Sequence, residues 1–337
     1  MTPNREVVAW PVVGGERNVQ RAVDGWRARG DGQLRFTGAD RSGMAVSDVM
    51  PADGTFSGRL AAAVTRTNSL VCVGLDPDPA RFPPHLGAER DVAEAIVRFN
   101  AAIVAATKDI ACAYKPNLGF YAAHGVAGIT ALEATRHMMP PDTIVILDAK
   151  VGDMATTSEA YARGYLDRWA FDALTVNPYQ GAEALAPFFQ RAGRGIFVLC
   201  KTSNPRSGEL QDLDVVDGQR TEPLHLTVAA RVATWDVNAA ATLGLVVGAT
   251  HPRELAAIRA RCPDLPILLP GVGAQGGDIV AAVRAGLTAN GDGLLVASSR
   301  AIIHASSDAD FAESARADTL RLRDAINAVR ERQIVPV

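Results

Sequence analysis

The sequence predicts an α/β fold: a single closed (β/α)8 barrel of the TIM type, preceded by an N-terminal extension. Three observations carry that prediction. Eight short β-branched or apolar runs recur along the chain, helical patterns lie between them, and charged or amide residues gather where the runs end. The runs are Leu70–Leu75, Ile110–Tyr114, Thr143–Leu147, Ala173–Val176, Gly195–Leu199, Gly244–Val247, Ile267–Leu269 and Gly293–Val296. Strands alternating with helices over about 260 residues imply parallel βαβ units. A count of eight favours closure over an open, doubly wound sheet.

The elements can be justified in order. Residues 1 to 55 are rich in Gly, Arg and Asp, with only weak apolar periodicity between Val19 and Trp26, and are expected to form a flexible or loosely attached extension. A helix from Phe56 to Thr65 is expected to cap the bottom of the barrel, which then occupies residues 56 to 330, with a tail from 331 to 337. Between the first two strands, Val92, Ile96, Phe99 and Ile103 recur at helical spacing. After the third strand, Thr156-Thr157-Ser158-Glu159 fits a capping box that would open a helix.

Composition narrows the function classes. Formal net charge is -3 with both signs interspersed, so no basic face argues for nucleic acid or an anionic membrane as a partner. The longest apolar stretch is interrupted at Lys108 and Asp109, well short of the roughly 20 residues that span a bilayer. The opening residues lack an apolar signal-peptide core, and the four cysteines show neither metal spacing nor a disulfide framework, so a cytoplasmic protein is expected. The six histidines show no paired metal-ligand spacing.

The third run leads directly into Asp148-Ala149-Lys150-Val151-Gly152-Asp153, two carboxylates and an ammonium within six residues. Side chains two apart on a strand share a face, so Asp148 and Lys150 project together, with Asp153 in the loop beyond. Close opposite charges keep all three ionised, and such a preorganised cluster suits a developing anion. If the barrel closes, the active site lies at the C-terminal strand ends. There the chain places Asp76 and Asp78, Lys115 and Asn117, Asp148 and Lys150, Asn177 and Tyr179, and Lys201, Ser203 and Asn204.

The seventh run leads into Pro270-Gly271-Val272-Gly273-Ala274-Gln275-Gly276-Gly277-Asp278, and the eighth into Ser298-Ser299-Arg300. Glycines let backbone N–H groups approach an anion, a helix N-terminus adds its dipole, and this is the usual phosphate position in such barrels. Arg300 offers a bidentate fork and Gln275 an amide donor. Gly271, Gly273 and Gly276 also spell a dinucleotide fingerprint, but they lie near the end of the chain rather than at a first strand, and Asp292 precedes the next strand.

Taken in order, Asp76, Lys115, the Asp148-to-Asp153 signature, Thr202-Ser203-Asn204-Pro205 and Pro270 to Gly277 resemble the orotidine 5'-phosphate decarboxylases. The Lys-Pro-Asn, Thr-Ser-Asn-Pro and Gly-Ala-Gln-Gly-Gly-Asp wording is similar to that family's second, bacterial subgroup. The resemblance runs from about residue 56 to 330 and implies cofactor-independent loss of CO2 from orotidine 5'-monophosphate to give UMP. It implies Lys150 as proton donor with Asp148 beside the departing carboxylate, Asp76 and Lys115 on the ribose, Ser203 on the pyrimidine edge, and Gln275 with Arg300 on the phosphate. It also implies a homodimer in which Asp153 and Thr157 serve the partner's site. Metal-dependent phosphosugar decarboxylases and aldolases share the signature but carry an acid at the end of strand two, where this chain has Lys115. A barrel that binds a phosphate ligand without chemistry is the other alternative, and it would be expected to lack one of the charged positions that are all filled here.

Overall fold

A computed structural model of the protein describes residues 26–28, 34–36, 54–87, 90–218, 220–272 and 278–334. Eight parallel strands close into a barrel: β1 (Val71–Leu75), β2 (Ala113–Pro116), β3 (Ile144–Val151), β4 (Ala173–Val176), β5 (Gly195–Lys201), β6 (Thr242–Val247), β7 (Ile267–Pro270) and β8 (Leu294–Ser298). Closure is by β8 on β1, where Val296 pairs Val71 and Ser298 pairs Val73. The expected strands are all present, with β2 shifted toward its C-terminal end and β3 and β5 running on into the polar residues.

Strand alternation sorts the core into two layers. Val73, Tyr114, Val145, Leu147, Leu174 and Val198 pack outward against the surrounding helices, while Cys72, Ala113, Ile144, Ile146, Ala173, Phe197, Leu268 and Leu295 fill the barrel interior. Continuing the inward parity toward the C-terminal end brings Asp76, Lys115, Asp148, Thr175 and Lys201 to the upper interior. The same period of two that builds the apolar core therefore delivers the polar mouth.

The helix Phe56–Thr67 closes the opposite end, as expected. Thr55 caps it by accepting from the Gly58 N–H, and Phe56, Leu60 and Ala63 face the interior layer. Phe56 meets Phe197 edge-on at 5.9 Å, and a Cβ on Gly195 would stand 2.7 Å from the Phe56 ring. Full burial of such a ring contributes about 1.5–3 kcal/mol.

Helices cover the outer layer. Val92–Thr107 starts at Asp91, whose carboxylate accepts from the Glu94 N–H, and it buries Ile96, Phe99 and Ile103. Within that layer the Asn100 amide donates to the Tyr121 hydroxyl and to Thr135, and Tyr121 in turn donates to the Leu75 carbonyl at 3.0 Å. This chain of bonds fixes the end of β1 one residue before Asp76.

The helix after β3 corrects one expectation. It spans Ala155–Ala162, so Thr156 and Glu159 lie inside it and no capping box forms. The turn is held instead by Asp153, whose side chain accepts from the Met154 N–H, and by Ser158, whose hydroxyl donates to the Asp153 carbonyl.

Residues 1–47 form a unit separate from 48–337. In the first unit, Trp26–Ala28 pairs antiparallel with Leu34–Phe36, strands that the composition of the extension did not suggest; the rest of the expected extension lies almost wholly outside the described residues. The last helix, Phe311–Ile334, continues into the segment expected to be a tail. A second antiparallel ladder, Asp214–Asp217 with Arg220–Pro223, interrupts the βα pattern between β5 and its helix. Among the described residues, no helix is long and apolar enough to cross a membrane.

Candidate active site

Asp148 is the centre of the mouth. Its side chain is only 9% exposed and accepts from four donors. Lys115 Nζ donates to Oδ2 at 2.8 Å, Lys150 Nζ to Oδ1 at 2.5 Å, Asn117 Nδ2 to Oδ2 at 3.2 Å, and Thr175 Oγ1 to Oδ1 at 3.0 Å. Burial pushes the Asp148 carboxyl up, but the Lys115 and Lys150 charges outweigh it and hold the group well below the usual carboxylate range. For Lys115, burial pulls the ammonium down, while Asp148 and then Asp76 more than compensate and leave it well above the ordinary lysine value.

The two lysines differ in what they face. The Lys115 side chain is 7% exposed, whereas that of Lys150 is 43% exposed. Lys115 is thus a buried counter-ion, and Lys150 presents its ammonium to the open mouth. A buried ion pair is weak as a source of stability because desolvation offsets the attraction. A cluster of three buried or half-buried charges is better accounted for by what it can do to a bound anion.

The backbone around Lys150 is unusual. Simple alternation does not account for its placement, because the ladder between β3 and β4 shifts register between Leu147 and Val151. Lys150 itself has φ +51°, left-handed backbone for a side chain that seldom adopts it. Its N–H donates to Thr175 Oγ1 at 3.0 Å, so Thr175 holds both the Lys150 backbone and the Asp148 carboxylate. Gly152 completes the bend, since a Cβ there would stand 2.5 Å from the Asn177 carbonyl oxygen.

Other expected residues fall around this centre. Asp76 is buried, and its Oδ1 has no hydrogen-bond partner among the described residues. Ser203 is half-buried in the loop after β5; a Cβ on Gly248 would come within 2.7 Å of it, so the glycine is what allows the loop to lie against the end of β6. Arg300 is exposed and opens the short helix Arg300–Ile303, which has no side-chain cap. Gln275, Gly273 and Gly276 lie outside the described residues.

One expectation needs revision. The helix Ile279–Gly286 after β7 was expected to offer its N-terminus to an anion, but Asp278 already accepts from the Val280 and Ala281 N–H groups there. Asp153 and Thr157 do not join the cluster of their own chain: the Asp153 carboxylate accepts from Met154, and Thr157 is exposed. Thr175 was not foreseen at all, although its inward parity on the strand beside Asp148 was a usable signal. Asn117 was placed at the mouth but given no role. Among the described residues, no group of three His, Cys, Asp or Glu is placed to hold a metal ion.

A closed parallel barrel whose C-terminal mouth holds a carboxylate between two ammonium groups defines a (β/α)8 enzyme built to manage negative charge. The sequence model of the Orotidine 5'-phosphate decarboxylase / HUMPS family matches residues 69–315, and the chain belongs to that family. It is 54% identical over 277 residues to the orotidine 5'-phosphate decarboxylase of Thermomicrobium roseum, covering 82% of this chain and 96% of that one. It is 51% identical over 272 residues to the enzyme of that name from Roseiflexus castenholzii, covering 80% and 96%. The solved structure of Leishmania donovani OMP decarboxylase superposes with a TM-score of 0.70 at 38% identity, covering 82% of this chain and 99% of that one.

Proposed function

We propose that the protein converts orotidine 5'-monophosphate to UMP and CO2 in pyrimidine nucleotide biosynthesis, without metal or organic cofactor. The observation that carries this reading is the open-faced Lys150 ammonium held by a buried, doubly paired Asp148, in a chain of this family. When the C6–carboxylate bond breaks, its electron pair stays on C6. The Lys150 charge stabilises that pair and its Nζ delivers a proton to the same carbon, after which solvent reprotonates the lysine. Asp148 fixes Lys150 and would lie beside the departing carboxylate.

Asp76 and Lys115 would take the ribose hydroxyls, Ser203 the pyrimidine edge, and Gln275 with Arg300 the phosphate. The phosphate contacts are remote from the reacting carbon, so their binding energy serves catalysis as well as affinity. The unpartnered Oδ1 of Asp76 supports the ribose assignment, since a substrate hydroxyl would supply the bond it lacks. The metal-dependent alternative is disfavoured by Lys115, whose ammonium repels a divalent cation where a carboxylate would bind it.

We further infer a cytoplasmic homodimer in which Asp153 and Thr157 enter the partner's site. Their separation from the Asp148 cluster of their own chain supports it, as do Phe120, Met154 and Tyr179, exposed apolar side chains that follow β2, β3 and β4 on the same rim. The test is to follow the absorbance of orotidine 5'-monophosphate with purified protein, with and without a strong chelator. Equal, rapid turnover in both is expected, and a requirement for Mg2+ would move the protein to the phosphosugar branch. For the dimer, Lys150→Ala and Asp153→Ala proteins should each be crippled, and exchanging their subunits should restore up to about half of wild-type activity per hybrid. Exchange verified by mass with no recovery would place Asp153 outside the shared site.

A further inference from the structure

The loop that carries Ser203 is closed on itself by a set of side chains that the proposed chemistry does not use. Lys201 ends β5 at an inward position and is 1% exposed. Its Nζ does not reach toward Asp148; it donates to Asp212 Oδ1 at 2.6 Å, across the base of residues 202–211. That hydrogen bond is the main reason the Asp212 carboxyl lies below its ordinary value. Buried His225 sits under the same corner, its Nδ1 donating to the Gln211 carbonyl at 2.8 Å and lying 3.2 Å from Asp212 Oδ1.

From that corner Gln211 reaches back into the loop. Its Oε1 accepts from the Thr202 N–H at 2.9 Å, and its Nε2 donates to Thr202 Oγ1 at 2.8 Å. Thr202 Oγ1 in turn donates to Asn204 Oδ1 at 2.6 Å, so the residues on both sides of Ser203 are held. Gly208 leaves room for the closure, because a Cβ there would stand 2.6 Å from Asp212 Oδ2. Joined ends and internal side-chain bonds give the loop a defined arrangement around Ser203.

We propose that Lys201, Asp212 and Gln211 form a latch that positions the 202–212 loop and acts on turnover through Ser203. This rests on the reading that Ser203 meets the pyrimidine edge. Lys201 is therefore a positioning residue, and its burial away from the Asp148 cluster is part of that role. The contribution of the latch is to keep the Ser203 hydroxyl within hydrogen-bond reach of its target, where a displacement of about 1 Å can cost on the order of a hundredfold in rate.

A double-mutant cycle with hydrogen exchange tests this on the full chain. The kcat/KM for orotidine 5'-monophosphate is measured for wild type, Ser203→Ala, Asp212→Asn and the double variant. Asp212→Asn is expected to lose about tenfold or more, and the double variant to lose no more than Ser203→Ala alone, since one lesion acts through the other. Amides of residues 202–211 should exchange faster in Asp212→Asn while those of the barrel strands do not change. Additive losses, a Ser203→Ala loss smaller than that of Asp212→Asn, or unchanged exchange in the loop would overturn the proposal. Should Asp212→Asn fail to fold, Gln211→Ala, which leaves the Lys201 pair intact, goes through the same cycle with the same criteria. If the wild type left orotidine 5'-monophosphate unchanged, the functional reading would fail by itself, and the exchange measurement would still decide whether the latch exists.

Discussion

Asp148 and Asp172 are both buried aspartates set between two cations, at opposite ends of the same barrel wall. Asp172 stands just before β4, where Arg59 reaches Oδ1 at 2.6 Å, Arg136 lies 3.5 Å from Oδ2, and the Val145 N–H donates to Oδ2. The guanidinium groups spend their other donors on backbone: Arg59 on the Gly193 carbonyl at 2.8 Å and Arg136 on the Ala170 carbonyl through Nε at 2.9 Å. That cluster ties two helices to the chain entering β4 and β5, and a guanidinium does not give up its proton in a protein. At Asp148 the cations are ammonium groups, Thr175 ties the carboxylate to the Lys150 N–H, and one cation faces the open mouth. The same charge pattern makes a joint at one end and, on the reading proposed above, a reactive centre at the other, and the kind of cation and its openness distinguish the two.

The largest expected effect separates the two ends. Lys150→Ala should lower turnover by roughly 10^5-fold, combining loss of a proton donor with loss of an electrostatic contribution, while the denaturant midpoint stays close to wild type. Single-turnover absorbance measurements check the first part; activity within tenfold of wild type would remove Lys150 from the chemistry. The converse is expected of Asp172→Ala. Removing one partner from a buried ion cluster costs about 3–5 kcal/mol of stability, read by denaturant unfolding, and kcat per folded molecule should hardly change. A kcat loss exceeding tenfold would show that the lower joint shapes the mouth after all.

Smaller effects sharpen the contrast. Arg300→Ala should weaken UMP binding by about 1.5–3 kcal/mol, the range for a lost hydrogen bond to a charged group, and should cost orotidine without its phosphate much less. Equal losses on both ligands, measured by calorimetry, would make Arg300 structural. The acid limb of stability should report Asp148. Its carboxyl is held low in the folded state, so its contribution is complete above the unfolded value of about 3.9 and is lost as pH falls through the folded value. At pH 3 that loss amounts to about 1 kcal/mol relative to neutral pH, and Asp148→Asn should flatten the limb by this amount. The smallest effect is expected from deleting residues 1 to 50, which supply none of the expected site residues. The shortened protein should keep its turnover, and insoluble or inactive material would mean that the barrel depends on the extension.

Much of this was legible because strands write their burial plainly. Eight apolar runs and the polar residues after most of them pointed to the barrel and to the Asp148 cluster, and the helix expected from Phe56 pointed to the plug beneath it. What escaped depended on geometry that only tertiary contact creates. The register shift after Leu147 and the left-handed Lys150 follow from the fit of β3 against β4, not from local propensity. Thr156 and Glu159 matched a capping box, but Asp153 and Ser158 close that turn from outside the motif. Thr175 looked like one more β-branched strand residue, and its hydroxyl acquires meaning only when Asp148 stands opposite. The Lys201 to Asp212 pair spans an irregular loop, where no periodicity marks the partner.

The left-handed φ of Lys150 has a bearing on how such a chain can change. A side chain held in that region costs about 1–3 kcal/mol, whereas glycine adopts it freely. Among replacements of Lys150, a screen for resistance to heat should therefore favour glycine over alanine, since both give up the pair with Asp148 and glycine alone relaxes the backbone. Screening for turnover should restore the lysine every time. On the reading proposed above, position 150 is thus where the backbone and the chemistry call for different residues.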